Sequence, residues 1–187
     1  MIASPRKERS PLTSFLANLH CASALVSIAP EGHGRYAAGM ICFEDLEVGA
    51  ETYFGSYAVT REEVLEFARK YDPQPFHLSD EEAAKTHFGR LAASGWHTAA
   101  MTMAVIARHV VDHKQAGLGS PGIDELRWTK PVYPGDTLHV RGKIVEKTPS
   151  RSKPHMGSFR THTIVSNQEG ATVMTFTSIV LIRRRSA

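Results

Sequence analysis

Cysteine is scarce in this chain of 187 residues, which has only two, Cys21 and Cys42. Neither belongs to a CxxC pair or to a zinc-ligand spacing, so neither a disulfide framework nor a structural metal site is expected. Such sparing use of cysteine is typical of proteins kept in a reducing compartment, and we expect a cytoplasmic location.

Several motifs of common enzyme classes are also absent. The sequence contains no GxxxxGK[ST], no HExxH and no GxSxG. At the level of motifs, these absences exclude P-loop nucleotide binding, zincin chemistry and the nucleophile elbow of serine hydrolases.

Charge and hydropathy argue against two classes of partner. The formal net charge is only +3, and basic residues cluster at the two ends, at 6–9 and 183–185. Nothing in this distribution demands nucleic acid, although anionic small molecules would be attracted. The apolar run from Ala99 to Ala107 is too short to cross a bilayer. We therefore expect neither nucleic acid nor a membrane as a partner.

The first forty residues differ in composition from the rest. Residues 1–40 are rich in Ser, Ala, Pro and Gly, begin basic, and lack the periodicity of a helix or a strand. We interpret them as a disordered or non-native N-terminal extension and assign the folded domain to residues 41–187. A secretory or transit role is the alternative, although polar residues interrupt the apolar stretch from Leu12 to Pro30 and the cleavage-site pattern is poor.

From Ile41 onward the pattern is regular. A strand is predicted from Glu51 to Val59, and Thr60 is placed to cap a helix that Pro73 ends. A short helix over 79–88 and a longer one over 96–115 follow. Four further strands are predicted at 123–132, 136–147, 158–168 and 171–184. We therefore expect an α+β domain in which an antiparallel sheet of about five strands curls round one buried helix.

The segment YDPQPFH, from Tyr71 to His77, places an acid and an imidazole five positions apart with two prolines between them. A residue before proline is disfavoured in the helical region, so Asp72 and Gln74 are held in extended or turn geometry. A carboxylate and an imidazole on a stiff loop can hold one water between them and exchange protons with it. Adding water to a polarised double bond requires this arrangement. An ordinary proline-rich loop with a solvated acid and histidine explains the spacing equally well.

Two other histidines form a possible metal pair by spacing. His109 and His113 lie four residues apart near the end of the longest predicted helix, but no third ligand is evident. Histidines in a final helical turn also interact favourably with the helix dipole. We prefer that interpretation and expect no metal site.

The segment YDPQPFHLSDEEA, followed by FGRLAASGWHT, resembles the signature of the MaoC-like acyl dehydratases, the family that includes the (R)-specific enoyl-CoA hydratases. The signature has an acid, a proline, an apolar residue, a histidine and, after five residues, a small residue, which are here Asp72, Pro75, Phe76, His77 and Ala83. The resemblance extends from about residue 41 to residue 182. It implies a hot-dog fold, an antiparallel sheet wrapped around a long central helix, assembled as homodimers or dimers of dimers.

The resemblance also implies roles for individual residues. Asp72 and His77 would be the acid/base pair, and the backbone N–H of Gly95 would polarise the carbonyl of a thioester. The implied reaction is the reversible hydration of a trans-2-enoyl thioester, linked to coenzyme A, to a 3-hydroxyacyl thioester, without a metal or redox cofactor. Five further residues are expected around the substrate: Gln74, Phe76, Ser94, Trp96 and His97.

Some positions depart from the family pattern. Gln74 stands where these hydratases commonly carry Asn. Met103 stands where they have a small hydroxyl residue, so either Thr98 or Thr102 replaces that contact or the contact is absent. His97 is alternatively a capping or core histidine. The sequence leaves the identity of the acyl chain open. A hot-dog thioesterase and a non-catalytic acyl-CoA-binding module are the alternative functions.

Overall fold

The computed structural model of the protein describes residues 39–185, so the predicted N-terminal extension lies almost wholly outside the described residues. Within this range, short 3-10 turns occupy Phe43–Asp45 and Pro75–His77. The helices are α1 (Arg61–Tyr71), α2 (Asp80–Ala84) and α3 (Gly95–Asp112), and the strands are β1 (Glu51–Ala58), β2 (Gly117–Trp128), β3 (Thr137–Pro149), β4 (Met156–Ser166) and β5 (Thr172–Arg183).

The strands form one antiparallel sheet in the order β1-β3-β4-β5-β2. In the central strand β4, alternate residues turn inward and are buried, among them Phe159, Thr161, Thr163 and Val165. This period of two is the pattern of a strand with one face on the core. Helix α3 packs across that face and contacts β1 and β3. The predicted α+β architecture, a sheet around one long helix, is confirmed.

The main core lies between α3 and the sheet. Met101 and Val105 of α3 belong to one apolar cluster with Leu138 and Val140 of β3. Full burial of side chains of this size stabilises the fold by about 1.5–3 kcal/mol each. Part of α3 is not covered within the single chain, because Met103 on its opposite face is 56% exposed.

Strand β2 departs from its prediction, since it spans Gly117–Trp128 rather than residues 123–132. Its first half, GLGSPG, lies before the predicted strand, and its glycines and proline are residues that usually mark turns. The strand lies at the edge of the sheet and pairs with β5 alone, a position that tolerates both residue types. The same letters fit the GxGxxG spacing of dinucleotide-binding loops. Those loops connect a strand to the helix that comes after it. This segment is itself a strand, and it comes after helix α3.

A bulge interrupts β2 near its end. Asp124 pairs with Thr177 and Arg127 pairs with Thr175, so three steps along β2 match two steps along β5. Glu125 lies within the extra length with a φ of 55°, in the left-handed region that favours glycine. Beyond the bulge, Trp128 turns its indole toward the first residue of α3.

Candidate active site

Two prolines separate the end of α1 from His77. The N–H of Asp72 still donates to the Ala68 carbonyl at 3.0 Å, and a tight turn follows in which Gln74 N–H donates to the Asp72 carbonyl at 2.8 Å. Pro75 then opens the 3-10 turn that ends at His77. Proline is favoured at a first helical position because its missing N–H leaves no bond unmade there. This chain reversal brings the side chains of Asp72 and His77 together.

The ring of His77 is buried, with one nitrogen on a backbone carbonyl and the other facing Asp72. Its Nδ1 atom lies 2.8 Å from the carbonyl oxygen of Ala92, and its Nε2 atom lies 3.6 Å from Oδ2 of Asp72. Because a carbonyl only accepts, Nδ1 carries the proton of the neutral ring and Nε2 keeps its lone pair. The side chains of His77 and Asp72 are 6% and 18% exposed, so the pair is largely shielded from bulk water. Phe76 contacts the ring edge-on at 4.6 Å between centroids.

Asp72 is stabilised as a carboxylate. Burial raises its pKa, but the hydroxyl of Ser94, the side-chain amide of Gln74 and the nearby His77 together hold that pKa below its ordinary value. The Gln74 amide donates to Oδ1 at 2.8 Å, which leaves Oδ2 for His77. The acid therefore faces the imidazole in its charged form.

The start of α3 lies beside this pair. Ser94 caps the helix, since its hydroxyl oxygen accepts from Trp96 N–H at 3.2 Å. Gly95 is the first helical residue. Among residues 39–185, no group accepts from the Gly95 N–H, which is one of the donors that a helix N-terminus leaves unpaired. That N–H carries the positive end of the helix dipole.

A cavity of about 390 Å³ connects these elements, and His77, Gly95 and Thr98 contribute to its wall together with Trp128 and Lys130. The structure thus brings the predicted His77 and Gly95 to one space, with Oδ2 of Asp72 3.6 Å from Nε2 of the imidazole. A second cavity of about 350 Å³ runs between α3 and β2, with apolar walls that include Met103, Ile106 and Ile123.

The other predicted residues occupy different positions. Gln74 and Ser94 contact Asp72, and Phe76 supports His77. Trp96 is 62% exposed and lies edge-to-face on Trp128. These positions surround the pair, and direct contact with a substrate stays a prediction for each of them.

His97 points away from the cavity. It is buried, stacks on Phe67 of α1 at 4.7 Å between centroids, and its Nδ1 has no hydrogen-bond partner within the described part of the chain. Burial lowers the pKa of His97, and the charge of Glu63 opposes this only in part. A role of His97 in substrate binding stays a prediction, and its surroundings are those of a core histidine.

The hydroxyls of the two threonines on α3 are engaged by the helix. Thr102 donates to the Thr98 carbonyl at 2.8 Å, and Thr98 donates to the Ser94 carbonyl at 3.3 Å. Both threonines are buried, and Thr98 also lines the cavity near Gly95. Replacement of the missing hydroxyl at Met103 by either threonine stays a prediction.

Two residues of the site were not found from the sequence. Ala92, which orients His77 through its carbonyl, gives no signal because any residue offers that group. Trp128 lies 33 positions after Gly95, in a strand whose bulge controls its direction, and no local pattern reports such a contact.

Residues 39–185 contain neither a cluster of metal ligands nor a helix suited to a bilayer. His109 and His113 stack at 3.9 Å between ring centroids, and in residues 39–185 no group of three or more metal-ligating side chains forms. No helix in the same range has the length and hydropathy to span a bilayer.

Comparison with known proteins identifies the family. Residues 46–167 match the family model of the MaoC like domain. A 3-hydroxybutyryl-CoA dehydratase of Methylorubrum extorquens is 33% identical over 119 residues, which make up 63% of this chain and 72% of that protein.

Solved structures agree with this match. A MaoC-like dehydratase from Rhodospirillum rubrum superposes with a TM-score of 0.69 at 38% identity, over 79% of this chain and 99% of that one. The R-hydratase PhaJ1 from Pseudomonas aeruginosa superposes with a TM-score of 0.59 at 27% identity, over 79% and 92%. The predicted hot-dog fold is confirmed, and the chain belongs to the MaoC-like dehydratase family.

Proposed function

We propose that this protein catalyses the reversible hydration of a trans-2-enoyl thioester, linked to coenzyme A, to the 3-hydroxyacyl thioester. The observation that carries the proposal is the Asp72–His77 pair, with 3.6 Å between Oδ2 and Nε2 and the opposite ring nitrogen anchored by a carbonyl. The names of two relatives, a 3-hydroxybutyryl-CoA dehydratase and an R-hydratase, support the same reaction class.

The pair is suited to hold one water molecule. With the ring proton on Nδ1, Nε2 is an acceptor, as is Oδ2 of the Asp72 carboxylate, so the two atoms do not bond to each other. One water has two O–H groups and satisfies both atoms. In hydration, the water oxygen bonds to C3 of the substrate while one member of the pair takes a proton from the water. The pair then delivers that proton to C2, so the double bond is replaced by a C–O and a C–H bond and the pair returns to its starting state.

Charge develops on the thioester oxygen during this addition. As the C2–C3 double bond accepts the water oxygen, its electrons move through C2 onto the carbonyl, which becomes an enolate until C2 is protonated. The unpaired N–H of Gly95 supplies a donor for this oxygen at the positive end of α3. Donors fixed before the reaction stabilise such charge without reorganisation.

The acyl chain needs an apolar environment away from the pair. The cavity of about 350 Å³ beside Met103 and Ile106 lies further along α3 than Gly95 and has predominantly apolar walls. We propose that it receives the acyl chain. This placement requires Met103 to lie beside the chain.

The exposed apolar side chains favour a homodimer. Met103 and Val111 of α3 are 56% and 72% exposed, and Ile123 of β2 is 54% exposed. Clusters of this kind are typical of surfaces that are covered in an assembly. Light scattering on the purified protein tests this, with twice the mass of the chain as the expected result.

One assay separates the proposed function from its alternatives. The purified protein is incubated with crotonyl-CoA and with branched enoyl-CoAs, while loss of enone absorbance and release of free thiol are followed in parallel. We expect enone loss without thiol release. Thiol release alone would indicate a thioesterase, and no change in either signal across the panel would indicate a binding module, so either outcome contradicts the proposal.

A further inference from the structure

Trp128 is in unusually close contact with Gly95. A Cβ atom at position 95 would lie 2.7 Å from Cε2, 2.8 Å from Cδ2 and 3.0 Å from Nε1 of the indole. Carbon atoms do not approach one another this closely without repulsion. The φ of Gly95 is not in the left-handed region, so the close indole rather than the backbone conformation requires glycine here.

The indole also faces the cavity that holds His77. Trp128 contributes to the wall of that cavity with Gly95, and its outer side lies edge-to-face on Trp96 at 5.2 Å between centroids. Within the described range, no oxygen or nitrogen atom accepts from the Trp128 Nε1–H. Trp128 is 43% exposed, and its indole nitrogen only donates. Gly95 and Trp128, the residues that carry these two unpaired donors, both line one cavity.

The two donors are close enough to share one acceptor. Nε1 lies 3.0 Å from the Cβ position of residue 95, and that position is about 2.5 Å from the backbone nitrogen of the same residue. The two nitrogens are thus at most about 5.5 Å apart. Two N–H groups that each reach an oxygen at about 2.9 Å can be separated by up to about 5.8 Å.

We propose that the Nε1–H of Trp128 is a second donor to the thioester carbonyl oxygen, beside the N–H of Gly95. The inference rests on the proposed function, since it requires a thioester ligand. It gives the enolate oxygen two fixed donors, one on α3 and one on β2, in place of one. It also explains why the bulge in β2 turns this side chain toward the helix.

The test compares two ligands that differ only at the carbonyl. Butyryl-CoA is a thioester, and S-butyl-CoA has a methylene in place of the carbonyl. Binding of each is measured by calorimetry to the wild type, to Trp128→Phe, and to Tyr53→Phe. Phenylalanine keeps an aromatic ring against Gly95 but lacks the N–H, and Tyr53→Phe is the control because it removes an aromatic hydroxyl on β1, at the opposite edge of the sheet from β2.

We expect Trp128→Phe to bind butyryl-CoA about 3- to 10-fold more weakly than the wild type, the range for loss of one hydrogen bond. Its affinity for S-butyl-CoA, and both affinities of Tyr53→Phe, should be unchanged. Equal weakening for both ligands would show that Trp128 is only a wall, and unchanged affinity for both would remove it from the site.

Because binding is measured at equilibrium, the result does not depend on turnover. Wild-type protein that binds both ligands but hydrates no enoyl-CoA would contradict the proposed function while still deciding the role of Trp128. A wild type that binds neither ligand would overturn both proposals.

Discussion

The carbonyl oxygen of Ala92 lies 2.8 Å from Nδ1 of His77 and thereby directs Nε2 of the same ring toward Asp72. The anchor is a backbone atom in a buried segment, so it persists when side chains around the ring are replaced. His77 can therefore be tested by changing its surroundings without losing the orientation of its ring.

Removing either member of the pair should abolish hydration. We expect Asp72→Asn and His77→Ala each to lower kcat/KM for an enoyl-CoA by at least about 100-fold, the lower end of what acid/base groups contribute. Each variant should remain folded and dimeric, as measured by thermal unfolding and light scattering. Asp112→Asn and His113→Ala, at the exposed end of α3, are the matched controls. Near wild-type turnover in both site variants would show that the pair is wrongly assigned.

The amide of Gln74 should set the acid limit of activity. Gln74→Leu removes a donor from the Asp72 carboxylate, so the pKa of Asp72 rises toward its ordinary value. The carboxylate is then protonated at higher pH. The acid limb of the profile of kcat/KM against pH should therefore shift to higher pH. Gln168→Leu is a matched control, because Gln168 donates to the carboxylate of Asp136 away from the site. An acid limb that stays in place in Gln74→Leu would argue that Asp72 is not the titrating base.

Ser94 should contribute to both stability and activity. Its hydroxyl caps α3 and also contacts Asp72, whereas Ser79 only caps α2. We expect Ser94→Ala and Ser79→Ala each to lower the free energy of unfolding in urea by about 1 kcal/mol. Turnover should fall in Ser94→Ala alone. Equal turnover in the two variants would restrict Ser94 to a capping role.

The contact between Gly95 and Trp128 should appear as energetic coupling. Gly95→Ala places a methyl group against the indole and should lower the free energy of unfolding by about 1–3 kcal/mol. In a Trp128→Ala background the same change should be nearly neutral, because the obstructing ring is gone. A double-mutant cycle in urea would then give a coupling of about 1 kcal/mol or more. Additive effects would contradict the close contact.

His97 should make stability depend on pH. Its pKa in the folded state is below the ordinary 6.5, so neutral His97 contributes stability above pH 6.5 that is lost as the pH falls toward the folded-state pKa. Wild-type protein should therefore lose more unfolding free energy between pH 7.5 and pH 5.5 than His97→Leu does. His155→Leu, at an exposed position, should retain the wild-type dependence. Identical curves for wild type and His97→Leu would refute this account.

Local patterns predicted most of the fold. Strands β3, β4 and β5 were found within a few residues of their observed bounds, because alternate burial leaves a period of two in the sequence. The first half of β2 was missed because its glycines and proline indicate a turn, and only its place at the sheet edge makes them acceptable in a strand. That place depends on contacts with β5 that no local window contains.

The site likewise combines features that a local pattern predicts with features that depend on distant contacts. Asp72 and His77 are five positions apart, so their proximity follows from the stiff segment between them. The Trp128 contact joins α3 to a distant strand. The direction of His97 toward α1 rather than the cavity depends on how two helices pack.

Because of the bulge at Glu125, the number of residues in β2 decides which face of the sheet its last side chains occupy. Successive side chains of a strand alternate between the two faces of a sheet, so one added residue reverses the face of every residue beyond it. The extra step between Asp124 and Arg127 is what aligns the indole of Trp128 with α3 instead of the outer surface. Relatives that keep the tryptophan but lack the residue added by the bulge would present the indole on the opposite face of the sheet. When homologous strands are compared, the parity of the residue count therefore matters as much as the presence of the aromatic ring.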